Sequence, residues 1–261
     1  MIREMSVAGS FYPDSKEEIE KYLTYFNKVY DRHFTLSDAK SRVVIVPHAG
    51  YVYSGFTANV AYRILKNSEI KRFVVIGPSH RVGFDGVSVC DYEEYKTPFG
   101  TLESDREIVK MLQEKVTLKC MPQAHHEHST EVQFPLLKYY IPDATLVELV
   151  YSNEKPENIS KIIDLLLENT GIGVIISTDL SHFYTLREAN IIDRICIESI
   201  ENMQINRLHE GCEACGKIGV EAVLLSAKKA SMHPHIIDYR TSADASNDVS
   251  SVVGYVSAYF T

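Results

Sequence analysis

The sequence predicts an α/β fold: a single domain built on a central, mostly parallel or mixed sheet with helices on both faces. Three observations predict it. Short runs of continuous apolar residues recur at Val43–Val46, Phe73–Ile76, Leu146–Val150 and Val174–Ile176, as in strands buried on both faces. Segments with apolar residues at helical spacing alternate with them. No Pro/Gly/Ser-rich linker or internal repeat divides the 261 residues, and a 45% hydrophobic composition is ample for one large core.

The elements follow in order. Asp14 and Ser15 precede a helix carrying Ile19, Tyr22, Leu23, Phe26 and Tyr30 on one face, and Ser15 and Glu18 have capping-box spacing. The strand Val43–Val46 ends at Pro47-His48 and leads to a helix from about Thr57 to Leu65. The strand Phe73–Ile76 ends at Gly77-Pro78-Ser79-His80. Ser104-Asp105 opens a helix to about Glu114; Ser129 or Thr130 opens another across Pro135, where a kink or early break is expected. Leu146–Val150 is a strand and Ile159–Leu167 a helix. Val174–Ile176 is a further strand, ending at Ser177-Thr178-Asp179. Thr185 and Glu188 box the start of a helix reaching about Met203, and another helix covers Lys217 to Ala230. Two strands, near His235–Tyr239 and Val252–Tyr259, finish the chain.

A net charge of -8 argues against a nucleic-acid surface. No apolar run approaches the roughly 18 residues that cross a bilayer, so no membrane role is expected. The opening residues lack a secretory pattern, and the five cysteines are odd in number and thinly spread. Reduced thiols in a cytoplasmic setting are the expectation. The phosphate loop, the complete G-x-G-x-x-G, the G-x-S-x-G elbow and the H-E-x-x-H zinc helix are all missing, so no nucleotide cofactor is expected.

In open α/β sheets functional groups gather beyond the carboxyl ends of strands. Three of the predicted strands deliver polar residues there: His48 in VPHAGY, His80 in GPSH, and Asp179 with His182 in STDLSH. Imidazoles with a carboxylate are a ligand set for iron, copper, zinc or nickel. Asp179 either orients His182 or binds metal itself. The stretch AHHEHSTE, from Ala124 to Glu131, precedes a helix. There Glu127 and Glu131 are favoured by the helix dipole, and a neutral His128 suits acid/base work. His125 and His126 are expected to be solvated. Tyr51 and Tyr53, beside Gly50 and Gly55, are candidate pocket walls, with Ser79 at the neighbouring strand end. The polar segment 241–248 is the expected source of a third ligand, with Asp244 first and Asp248 second; turn chemistry explains both equally well. Cys212-x-x-Cys215 is read as a structural helix start.

These residues belong to ordered motifs: Val7-Ala8-Gly9-Ser10-Phe11-Tyr12-Pro13, PHAGYVYSG at 47–55, GPSH at 77–80, Tyr95-x-Thr97-Pro98-x-Gly100, Glu127-His128-Ser129-x-Glu131, Ser177-Thr178-Asp179-x-Ser181-His182, and the closing Ser250–Tyr255. In them the chain resembles the Memo-like proteins over almost its whole length. Some members of that family carry the label AmmeMemoRadiSam system protein B. The resemblance implies a fold similar to the class III extradiol dioxygenases, with an iron or copper ion (iron preferred), His48 and His80 as ligands, and Asp179 and His182 in the pocket. It implies an acid/base role for His182. Two functional classes follow: a metal-dependent, dioxygenase-like oxidoreductase, or a non-catalytic module or scaffold taking a small-molecule or peptide ligand in the same pocket. The family's label alone adds a radical enzyme as a pathway partner.

Overall fold

The computed structural model describes residues 1–261. The eleven strands form one mixed sheet. They are β1 (Ile2–Arg3), β2 (Val43–Val46), β3 (Arg72–Pro78), β4 (Val87–Ser88), β5 (Glu94–Thr97), β6 (Gly100–Ser104), β7 (Thr145–Tyr151), β8 (Ile172–Ser177), β9 (His182–Tyr184), β10 (Pro234–Thr241) and β11 (Val252–Phe260). The order is β1-β5-β6-β7-β3-β8-β2-β11-β10, with β4 on β7 and β9 on β11. From β6 to β2 neighbours are parallel, whereas β11 runs antiparallel to both β2 and β10.

The helices are α1 (Lys16–His33), α2 (Tyr51–Lys66), α3 (Arg106–Lys115), α4 (His128–Glu131), α5 (Gln133–Tyr140), α6 (Pro156–Leu167), α7 (Leu186–Glu201), α8 (Lys217–Lys229) and α9 (Ala243–Ser246). Two buried clusters lie on opposite faces of the sheet. Because side chains alternate along a strand, Val43, Ile45, Val74, Ile76, Val174 and Ile176 face α6 and α8. Val44, Val46, Phe73, Val75 and Ile175 face α1, α2 and α5. Both faces are apolar, so the strands read as continuous hydrophobic runs.

Local chemistry sets the helix ends. Ser15 accepts from the Glu18 N–H, and Thr185 with Glu188 forms the full reciprocal box. Two expectations change and one is met. Helix α2 begins at Tyr51, not near Thr57, so the tyrosines of YVYSG are helical; Gly55 is a packing residue there, since a Cβ on it would stand 3.0 Å from the Phe26 ring. The early break expected near Pro135 falls at Val132 and leaves the proline in the first turn of α5, where no N–H is missed. Four cysteines are paired rather than reduced, as Cys90–Cys120 and Cys196–Cys212; Cys215 alone is free. No helix is long and apolar enough to cross a membrane.

One close approach positions the site. A Cβ on Gly77, near the end of β3, would stand 2.7 Å from Ser129 Oγ and 2.9 Å from Thr130 Cγ2. Ser129 Oγ also donates to the Pro78 carbonyl at 2.6 Å, so α4 hangs directly on the carboxyl end of β3. Gly77→Ala should therefore destabilise the protein by about 1–3 kcal/mol in urea unfolding. Gly83→Ala, where the added methyl meets nothing within 4 Å, should be neutral.

Candidate metal centre

Strands β3, β8 and β2 are neighbours and parallel, so their carboxyl ends share one edge of the sheet. His80, Asp179 and His48 each stand two residues beyond those ends. His128 is the first residue of α4. One ring nitrogen from each of His48, His80 and His128 lies within 4.8 Å of the others. The rings of His80 and His128 stack at 4.6 Å between centroids, and His48 meets both edge-on. Three nitrogens held about 2.1 Å from one ion stand about 3.4 Å apart in tetrahedral geometry, so the rings need to close by at most roughly 1.4 Å.

The hydrogen bonds behind the rings decide which nitrogen faces inward. Ser177 Oγ donates its proton to the Ser129 carbonyl and accepts from Gln133 Nε2 at 3.0 Å. It can therefore only accept from His48 Nδ1, 3.0 Å away, which puts the lone pair of His48 on Nε2. Glu127 does the same for His80: one carboxylate oxygen lies 3.1 Å from His80 Nδ1 and the other accepts the His80 backbone N–H at 2.6 Å. Carboxylate-backed imidazoles are the usual arrangement around protein-bound metals. Burial works against the Glu127 charge, but the imidazoles of His128 and His80 together with that N–H hold its pKa well below the ordinary carboxylate value. His128 Nδ1 is 2.9 Å from Glu127 Oε1 yet forms no hydrogen bond there. Burial, then His80 and His128, keeps His48 well below the usual imidazole pKa and thus neutral, the ligating form.

Two more groups close the site. Asp179 accepts the His48 backbone N–H at 2.7 Å and places its second oxygen 4.0 Å from His48 Nε2; burial raises its pKa. Cys215 Sγ lies 3.2 Å from His48 Nε2 and 3.3 Å from the Asp179 N–H. Burial, followed by the Asp179 charge, pushes its thiol up to about 12. Gly216 permits this approach, since a Cβ there would stand 2.6 Å from Thr178 Cβ. Cys215 is more than a helix start, and the sequence signal was there: a cysteine before a glycine at a helix start, with no bonded partner assigned. His182 lies outside the three-nitrogen set, though close enough for its charge to act on both His48 and Asp179. Phe11 stacks on His128 at 4.4 Å, and Tyr53 is 42% exposed on the first turn of α2.

Several expected residues serve elsewhere. Asp244 is exposed, and its Oδ2 accepts the Thr241 N–H at 2.8 Å, a local turn; the third residue of the histidine group is His128. Asp248 likewise accepts from Ser250 in a turn. Tyr51 is buried, with its hydroxyl on the Val132 carbonyl, and so packs the core instead of walling a pocket. Ser79 Oγ donates to the Val82 carbonyl within its own turn. Glu131 is wholly buried and grips the N-terminal segment: it accepts from the N–H groups of Ser6 and Val7 and from Tyr12 Oη, and pairs with Arg3 at 2.9 Å. His125, expected in solvent, is buried between Glu148 at 2.7 Å and Ser88 at 2.9 Å; His126 is exposed.

The fold and site together define a class: an α/β protein with clustered imidazoles at the carboxyl ends of its central strands. The family model described as "Memo-like protein" matches residues 3–259. The chain is 34% identical to a MEMO1 family protein of Methanobrevibacter smithii, with 100% of both chains covered. It is 34% identical to one from Sulfurisphaera tokodaii (100% of this chain, 99% of the relative) and 30% identical to one from Aquifex aeolicus (99% of each). This chain belongs to the Memo-like family.

The ionic lattice beside the site sets an acid limit. Arg3 bridges Glu131 and Glu148. Burial opposes the Glu148 charge, but Arg3, then His125 and Thr130, hold its pKa below the ordinary 4.5. A depressed carboxyl pKa stabilises the fold above about pH 4.5, and that stability is lost as pH falls through the folded-state value. Urea unfolding at pH 7 and below pH 4.5 should show this fall. Glu148→Gln should lose on the order of 3 kcal/mol at pH 7 and show a shallower decline in acid.

Proposed function

We propose that this protein is a metal-binding oxidoreductase, with iron first and copper second as the ion, acting on a small molecule or peptide that reaches the part-exposed ring of His80. The observation that carries this reading is the convergence of three ring nitrogens, two of them with their far sides committed to acceptors. His48, His80 and His128 would hold the ion, and Cys215 stands within reach of the same space. A bound iron or copper ion supplies Lewis acidity and one-electron redox chemistry.

The chain's own residues do the rest. Glu127 and Ser177 fix ring orientation. Asp179, its pKa raised by burial, is suited to hold a proton at the edge of the site, and the neighbouring His182 to exchange one with a substrate hydroxyl. Phe11 and Tyr53 offer aromatic faces at the rim, and a substrate seated against them meets a dry, hydrogen-bonded floor.

Anaerobic loading with Fe(II), followed by elemental analysis and chelator competition, tests the site. The wild-type protein should retain about one ion per chain, and His48→Ala or His128→Ala should each weaken binding by about 100-fold or more. Asp244→Ala should leave affinity unchanged. Undiminished binding in the His48→Ala/His80→Ala/His128→Ala protein would refute the assignment. Ligand binding that survives complete metal removal, with no turnover under oxygen, would favour the non-catalytic module instead.

A further inference from the structure

The Cys196–Cys212 bridge stands close in sequence to the candidate centre. Cys196 is buried in α7, and Cys212 is buried just before α8. Three residues beyond Cys212, Cys215 presents its sulfur 3.2 Å from His48 Nε2. The segment between is pinned at both ends. On the site side, Cys215 N–H donates to the Asp179 carbonyl at 3.2 Å and Gly216 N–H to Thr178 Oγ1 at 2.9 Å. On the other side the anchor is the disulfide. In the middle, Glu213 accepts from Tyr184 Oη at 2.7 Å, which ties the same segment to the strand that carries His182. The five residues 212–216 are thus tied both to the end of β8 and to β9, and only one of their anchors is covalent and chemically reversible.

We infer that the Cys196–Cys212 disulfide is a redox-sensitive tether that fixes the Cys215 sulfur against His48, so that the redox poise of the surroundings sets the metal affinity of the centre. The closed bridge holds the segment in one register. A dithiol reductant of the thioredoxin class opens it: the disulfide gains two electrons and two protons and becomes two thiols, while the reductant's two thiols become its own disulfide. Access comes by local opening. In the 3-10 segment Ile205–Glu210 that precedes Cys212, Leu208 is buried and Ile205 packs in part against the core, while the other four residues are half-buried or exposed. Once open, the 212–216 segment loses its one covalent anchor and keeps its hydrogen bonds to Thr178, Asp179 and Tyr184, and the thiol samples positions away from His48. The second bridge, Cys90–Cys120, has no free cysteine within three positions and serves as an internal control.

The metal consequence rests on the function proposed above, but the tether itself does not, and the experiment separates them. In the metal-free full-length protein, the rate at which iodoacetamide alkylates Cys215 is followed by peptide mass spectrometry. Cys196→Ser/Cys212→Ser should raise that rate at least tenfold, while Cys90→Ser/Cys120→Ser leaves it unchanged. Wild-type protein reduced with dithiothreitol and desalted anaerobically should behave like the first variant, which guards against a folding defect in it. Co(II) affinity, read by chelator competition, should fall about tenfold in step. An unchanged alkylation rate in both the variant and the reduced wild type would overturn the tether. Faster alkylation in a wild-type protein that binds no Co(II) would uphold the tether and remove the metal reading alone.

Discussion

An imidazole has two nitrogens and, when neutral, one proton. It can present a lone pair to a shared space only if that proton is held on the other side. The candidate centre depends on this constraint. Ser177, with its own proton committed to the Ser129 carbonyl, fixes the tautomer of His48. Glu127 does so for His80, and its negative charge survives burial because it accepts from ring and backbone at once. Without these acceptors the rings would still be close, but nothing would set which nitrogen pointed inward.

The fold brings such groups together through strand order. Residues 48, 80 and 179 are far apart in sequence, and β8 inserts between β3 and β2, so that three parallel strands end side by side. Helix α4 then carries His128 in from above, seated on the close approach that Gly77 allows. Its other end is locked from outside by Glu131, whose carboxylate binds the chain's first residues. The N-terminal segment therefore takes part in holding the site, with Phe11 laid on His128.

The central strands and the large helices were legible in the sequence because their patterns are local: runs such as Val43–Val46 are apolar on both faces, and Thr185 with Glu188 caps a helix within four residues. The strand-end histidines were legible for the same reason. What could not be read were outcomes of tertiary contact. Glu131 has the same local context as Glu127, three residues after His128 instead of one before, yet it faces Arg3 and not the rings. His125 looks like its solvated neighbour His126, but Glu148 on β7 draws it inside. Cys215 looked like a helix start because a cysteine before a glycine marks the position but not the partner, His48, 167 positions away. Asp244 looked available, whereas a three-residue turn already satisfied it.

The central claim is that His48, His80 and His128 surround one ion. The most direct measurement is an anomalous difference map from crystals of the full chain loaded with Fe(II) or Co(II). This account predicts a single strong peak about 2.1 Å from a nitrogen of each ring, with His48 Nδ1 still on Ser177 and His80 Nδ1 still on Glu127. A peak bound by other residues, or rings turned so that those Nδ1 atoms face the ion, would contradict it.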